Sequence, residues 1–323
     1  MPEQSPDFLS IILQLIAGVV LFLYSVNLLS DALRELAGDE MRRMVSRFTW
    51  NTFSGVLTGT VATTILDSSS AVIIMVISMV NVGLLTSLES FGVVLGANIG
   101  TTVSSQIIAL NVSEYSPLIL LIGFILHVTA KSNVRKQVGL IVFAMGLLFF
   151  GLWVMDNSMM PLRNYPPLIE LMKQLETPLV GALVGGLVTL VLQSSSATVG
   201  IAIILASQGV ITLPAGVAVM LGAEIGTCSD TLLAVIGRSR EAIRTGLFHL
   251  IFNILSVTLG LIIFEPFTHL IEAVSGNADL GRKVANAHMA FNIMGVLVFV
   301  WFIPLANRLL KRLLPDKAAR TEA

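Results

Sequence analysis

Leu192-Gln193-Ser194-Ser195-Ser196-Ala197 decides how this chain is read, because an altered copy, Leu66-Asp67-Ser68-Ser69-Ser70-Ala71, precedes it by 126 residues. Each copy lies in an apolar, glycine-punctuated stretch long enough to enter a bilayer. Three consecutive hydroxyls are costly there unless something binds them. Outward from the serines, GVLTGTVATTILDSSSA from Gly55 aligns without a gap with GALVGGLVTLVLQSSSA from Gly181. Further on, LGANIGTT from Leu95 falls on LGAEIGTC from Leu221 in the same register. A register held over that distance marks a duplication, the usual architecture of transporters.

Composition places the duplication in a membrane. The chain has 323 residues, 55% of them hydrophobic and 12% charged, with a mean hydropathy of +0.88, outside the range of soluble globular domains. The expected class is an all-α integral membrane protein. A net charge of −1 says nothing of nucleic acid, since topology accounts for the basic residues, and no nucleic-acid partner is expected. The single cysteine, Cys228, excludes an internal disulfide framework and a CxxC metal site, and reads as a small packing residue. The start, MPEQSPD, lacks a basic region, and the apolar run from Phe8 to Leu33 is long enough to span. It is expected to stay as the first helix.

The rest of the chain follows in order. After the span Phe8 to Leu33, residues 34–48 form a basic amphipathic stretch suited to a membrane surface. Thr52 to Val80 carries DSSS at its middle and is expected to be a re-entrant hairpin, two half-helices meeting at the serines. Leu88 to Leu110 crosses and is expected to unwind at GANIGTT. Pro117 to Ala130 and Gln137 to Met155 cross, and Asp156 to Pro178 connects the copies through a helix near residues 168–175. The second copy repeats the plan: hairpin Leu179 to Ala206, broken helix Leu213 to Ile236, span Gly246 to Phe264. A final span runs from Val284 to Pro304, and the basic tail is expected to be solvated. The chain thus divides into a first repeat (1–136), a second (137–265), an extra transmembrane helix (266–307) and a tail (308–323), with seven crossings and two hairpins.

Charge tests this map. Placing residues 34–47, 131–136, 238–244 and 308–320 inside leaves only Arg163, Lys173, Arg282 and Lys283 of the 19 basic residues outside. Reading either hairpin as a full span destroys that asymmetry, the positive-inside signal. The expectation is a multi-pass protein of the inner (plasma) membrane, N-terminus outside and C-terminus cytoplasmic. Three crossings then separate the copies, so the repeats are inverted and the two serine tips can meet near the bilayer centre.

At each tip a half-helix starts at the serines, so free backbone N–H groups and a positive helix end point into the site. Two such ends with Ser68, Ser69, Ser70, Gln193, Ser194, Ser195 and Ser196 favour a small oxyanion such as phosphate or sulfate. The plainer reading is that the serines only cap and bend a helix. The expected broken helices offer Asn98, Thr101, Thr102, Glu224, Thr227 and Ser229, oxygen ligands of the kind that hold Na⁺ at an unwound segment. Asp67 joins them, since a carboxylate beside an anion must be protonated or paired with a cation. Alternatively, Gly96, Gly100, Gly222 and Gly226 serve close helix packing alone. His127, His249 and His288 fall in or near spans and His269 in an outside loop; packing is their default role, proton relay the alternative.

Paired QSSS-like motifs in inverted repeats, each followed by a G-A-N-I-G-T-T-like segment, resemble the type II sodium-phosphate cotransporter family and its bacterial relatives. His249-Leu250-Ile251-Phe252-Asn253, His288-Met289-Ala290-Phe291-Asn292 and SDALRELAGDEMRRM before the first hairpin add to the likeness. The resemblance implies secondary transport of inorganic phosphate driven by Na⁺, with no resident cofactor and no enzymatic activity, the hairpin tips holding substrate and cations. Relatives that continue into a PhoU-like helical domain lead to the expectation that this shorter chain carries none. Three positions depart from the pattern: Asp67 in place of glutamine, Glu224 where Asn98 has its counterpart, and Asp230 in place of a small or hydroxyl residue. Each adds a carboxylate near the expected anion site, so a proton- or cation-coupled transporter of another oxyanion or carboxylate stays open, as does a channel. A serine hydrolase using His249 or His288 finds no GxSxG elbow. Direction, stoichiometry and oligomeric state are not readable.

Overall fold

The computed structural model describes residues 8–110, 112–162 and 165–315, and every regular element among them is helical. The first half holds α1 (Phe8–Phe48), α2 (Thr52–Leu66), α3 (Ser69–Asn81), α4 (Ser87–Ile108) and α5 (Ser116–Thr129). The second holds α6 (Asn133–Met159), α7 (Pro166–Lys173), α8 (Pro178–Leu192), α9 (Ser195–Ser207), α10 (Leu213–Gly226), α11 (Cys228–Ala234) and α12 (Arg240–Ile262). Three helices follow: α13 (Phe264–Ser275), α14 (Leu280–Phe299) and α15 (Ile303–Leu313). The repeat is kept residue for residue. Adding 126 to the bounds of α2 and α3 gives those of α8 and α9, and α4 maps onto α10 plus α11.

Six helices among the described residues are long and apolar enough to cross a bilayer, so this is a multi-pass membrane protein. The expected crossing at 117–130 is shorter than these, an apolar helix of Ser113–Thr129 at the lower limit of spanning length. The chain bends by 100° between α7 and α8, where Thr177 and Pro178 interrupt the helix.

Small residues decide how each copy packs. Gly96 lies so close to α2 that an added Cβ would sit 1.9 Å from the Val56 carbonyl oxygen; in the second copy Gly222 stands equally close to Ala182, at 1.8 Å. Contacts rise together along both helices, Gly92 against Thr52 and Gly100 against Thr63, so α2 and α4 run parallel. The intervening α3 must therefore carry the chain back. In the second copy the return is seen directly: Thr189 donates to Thr198 at 2.7 Å across the tip, whereas nine residues of straight helix would separate them by about 13 Å. Val72 replaces that threonine in the first copy, and the buried Thr63 hydroxyl has no partner.

The same contacts overturn the expected breaks. α4 is one continuous helix through GANIGTT, because its glycines flatten the face pressed on α2 while its polar side chains bond back to their own helix. Asn98 donates to Val94 O, Thr101 to Ala97 O and Thr102 to Ile99 O. The second copy pauses only at Thr227, whose backbone stays right-handed helical and whose N–H still reaches Ala223 O. The glycines serve packing, the alternative weighed above.

Two further expectations change. Residues 34–48 are no separate surface element but the continuation of α1, a helix of 41 residues and about 60 Å, twice the hydrocarbon thickness. Nothing stops it, since a lone Gly38 costs only about 1 kcal/mol. The tail is held at Leu310, which is buried, and at Leu314, whose carbonyl accepts from the fully buried Arg244 at 2.6 and 3.0 Å, while its basic residues Arg308, Lys311 and Arg312 are exposed. Residues 316–323, including Lys317 and Arg320, lie outside the described residues, as does Arg163.

α1 and α6 pack antiparallel, with Gly18 against Met155, Phe22 against Gly151, and Asn133 donating to Glu35 at 3.4 Å. Phe22 is fully buried in a core that also holds Leu148, Met155 and residues of α9 and α10.

Candidate functional site

Both serine tips have the same backbone geometry. Asp67 and Gln193 adopt the left-handed conformation, φ 49° and 54°, ending α2 and α8. That reversal aims the next residue back as a helix cap. Ser68 and Ser194 are the N-caps of α3 and α9, and each hydroxyl accepts the N–H three residues on, from Ala71 and Ala197, at 3.2 Å. The N–H groups of Ser69, Ser70, Ser195 and Ser196 precede the first intrahelical bonds and remain available to an anion.

The two tips open into one cavity of about 470 Å³. Residues 67–71 form one wall and residues 193–196 another, with Thr227 and Asp230 beside them. A third wall comes from α1, through Asn27, Ser30, Asp31 and Arg34. The Arg34 guanidinium donates to Ser68 Oγ at 3.2 Å and stands 3.9 Å from the Asp31 carboxylate. Asp67 is held at both ends: its carboxylate accepts the Ser104 hydroxyl, and its carbonyl accepts Ser30 Oγ at 3.3 Å. Asp230 lies in the same cavity wall region as Ser70, on the opposite copy's tip. The Gln193 amide donates to Leu190 O at 2.6 Å and Ser229 Oγ at 3.4 Å.

The sequence-predicted residues therefore separate into two groups. Ser68, Ser69, Ser70, Gln193, Ser194, Ser195, Ser196, Asp67 and Thr227 line the cavity. Asn98, Thr101, Thr102, Glu224 and Ser229 do not. Glu224 is buried elsewhere, accepting from Asn292 at 2.7 Å and paired with His288 Nε2 at 2.8 Å, while His288 Nδ1 meets Ser105 Oγ at 2.7 Å. His249 contacts Thr231 Oγ1 at 2.9 Å. Both histidines serve helix contacts, and their hydrogen bonds go to residues other than the tip serines.

The α1 wall escaped the sequence reading, which assigned Arg34 to the membrane surface. The signal was present as polar residues at 27, 30, 31 and 34, the i, i+3, i+4, i+7 spacing of one helix face.

A family model described as Na+/Pi-cotransporter matches residues 21–157 and again 168–302. The chain belongs to the Na+/Pi-cotransporter family. Members of the Na+/Pi-cotransporter family are transporters, not enzymes, which removes the hydrolase reading. Among its relatives, YqeW of Bacillus subtilis, a protein of unassigned function, is 29% identical over 95% of this chain and 99% of its own length. YjbB of Escherichia coli, provisionally named an inorganic phosphate export protein, is 25% identical over 95% of this chain and 56% of its own length. Sodium-dependent phosphate transport protein 2B of Homo sapiens is 34% identical over 31% of this chain and 15% of its own. No solved structure matches this Na+/Pi-cotransporter family member.

Proposed function

We propose that the protein carries inorganic phosphate across the inner membrane by alternating access, with Na⁺ as coupling ion and the two serine tips as the substrate site. One observation carries the reading: both tips, from separate copies, share a single cavity. The names of YjbB and of the human transporter point to phosphate, and the latter to sodium. The inverted reading of the repeats is supported by the antiparallel packing of α1 on α6, since α6 occupies in the second copy the place that residues 8–33 of α1 hold in the first. Re-entrant hairpins fit the parallel α2 and α4 and the contact of Thr189 with Thr198. The coupling cation is placed at Asp67, beside the anion, rather than along α4 and α10, whose polar side chains are already engaged.

Uptake of labelled phosphate, sulfate and arsenate into proteoliposomes under Na⁺, Li⁺ or proton gradients tests the assignment. Na⁺-driven phosphate accumulation is expected. Accumulation indifferent to Na⁺ would remove the coupling ion.

Two variants test the shared site. Ser69→Ala and Ser195→Ala should each weaken phosphate binding by about 5- to 100-fold, because a hydrogen bond to a charged group contributes about 1–3 kcal/mol. Wild-type affinity in either variant would take that tip out of the site.

Orientation is testable separately. A cysteine at Val82, in the loop after α3, should react with an impermeant reagent from the cytoplasm, and one at Ser207, near the equivalent loop after α9, from outside. The buried Cys228 should stay silent. Labelling of both new cysteines from one face would exclude the inverted arrangement.

A further inference from the structure

The serine tips offer an oxyanion hydroxyls, backbone N–H groups and two partial positive helix ends, but no full positive charge. Hydroxyl and backbone N–H groups are neutral donors, and the two tips present the same set. A full charge can come only from the charged side chains of the cavity, and three of these, Asp31, Asp67 and Asp230, are carboxylates. Arg34 is the one lining residue among the described residues with a positive charge.

We propose that Arg34 binds the substrate oxyanion directly and makes the site select the dianion over the monoanion, an inference that rests on reading this cavity as a phosphate site. A guanidinium has five N–H donors in a flat fork that matches two oxygens of a phosphate at once. Of these, one goes to Ser68 Oγ, and Asp31, at 3.9 Å, is too far to take a hydrogen bond. The side chain is 46% exposed and lines the cavity. Its bond to Ser68 sets the charge beside the cap of α3, next to the free N–H groups of Ser69 and Ser70.

Arg34 has no counterpart in the second copy. The residue 126 positions later is Met160, which is exposed and absent from the cavity lining. Two tips with the same hydroxyl and N–H donors thus share a single cation, which stands beside Ser68 on the first. The cavity also extends along α3 to Ile74 and Met75, whereas α9 contributes nothing beyond Ser196 and Ala197 is buried. Arg34 therefore stands on the side of the tips to which the basic end of α1 leads, the cytoplasmic side by the charge asymmetry of the loops.

The test is equilibrium binding of labelled inorganic phosphate to purified protein, across the pH range in which the monoanion becomes the dianion, for wild type, Arg34→Gln and Arg34→Lys. Wild-type affinity should rise with the dianion fraction. Arg34→Gln should bind about ten- to a hundredfold more weakly and lose that rise; Arg34→Lys, with charge but no fork, should fall between them and keep it. A measurement on the unaltered protein guards against misfolded variants: saturating phosphate should slow modification of Arg34 by phenylglyoxal, read by peptide mass. Unchanged affinity and pH profile in Arg34→Gln, or modification of Arg34 indifferent to phosphate, would overturn the inference. If Ser69→Ala and Ser195→Ala still weaken binding in that case, the phosphate site stands without Arg34. Absence of phosphate binding by the wild type would overturn both.

Discussion

Gly222→Val is expected to yield no monodisperse protein in detergent, whereas Gly186→Ala, one helix away across the same contact, should be tolerated. The Cβ of any residue at 222 would lie 1.8 Å from Ala182 O and 2.7 Å from Gly186 N, both backbone atoms that cannot swing aside. α8 and α10 would have to separate along their length. Overpacking costs about 1–3 kcal/mol even where side chains can give, and here the wedge meets main chain in the principal helix pair of the second copy. At Gly186 the nearest atom to an added Cβ is 3.4 Å away, an ordinary contact. Alanine there should be neutral, or should stabilise by up to about 1 kcal/mol through helix propensity. Gel-filtration profiles and melting temperatures of the two variants decide the matter, and equal behaviour would mean that the close approach does not hold the pair together.

Asp67→Gln is expected to change how transport is driven rather than whether phosphate binds. Two unit negative charges about 4 Å apart repel by roughly 4 kcal/mol at an effective dielectric near 20, so Asp67 must be neutralised whenever an anion fills the cavity. A proton and a cation leave different signatures. If a proton does it, uptake strengthens as pH falls; if Na⁺ does it, uptake is steep in Na⁺ and follows pH only through the titration of phosphate itself. Glutamine should fit, because Gln193 holds the same left-handed conformation at the equivalent tip. The variant should lose whichever dependence the parent shows and move one fewer positive charge per cycle. Identical Na⁺ steepness, pH profile and charge per cycle would remove Asp67 from the coupling site.

Much of this was legible because the chain says it twice. The offset of 126 residues predicted equivalent elements, and α2 with α8 and α3 with α9 agree to the residue. Cap chemistry explains why the tips were readable, since Ser68 and Ser194 act through the N–H three residues on. The GANIGTT segment misled for a physical reason: two glycines and adjacent polar residues fit both an unwound helix and a helix face pressed against a neighbour. Only the presence of α2 at contact distance selects the second. Glu224 misled similarly, because its partner His288 lies 64 residues further along the chain.

The sequence by itself determined the membrane class, the duplication and the two serine tips, because hydropathy, register and capping act through near neighbours along the chain. Tertiary structure alone decided that α1 walls the cavity and that Arg34 reaches Ser68, 34 residues away. It also decided that the tail docks on Arg244 and that Asp230 faces Ser70 across the copies. Such pairings depend on which helix faces meet, and those faces are set by the closest packing that the glycines of α2, α4, α8 and α10 allow.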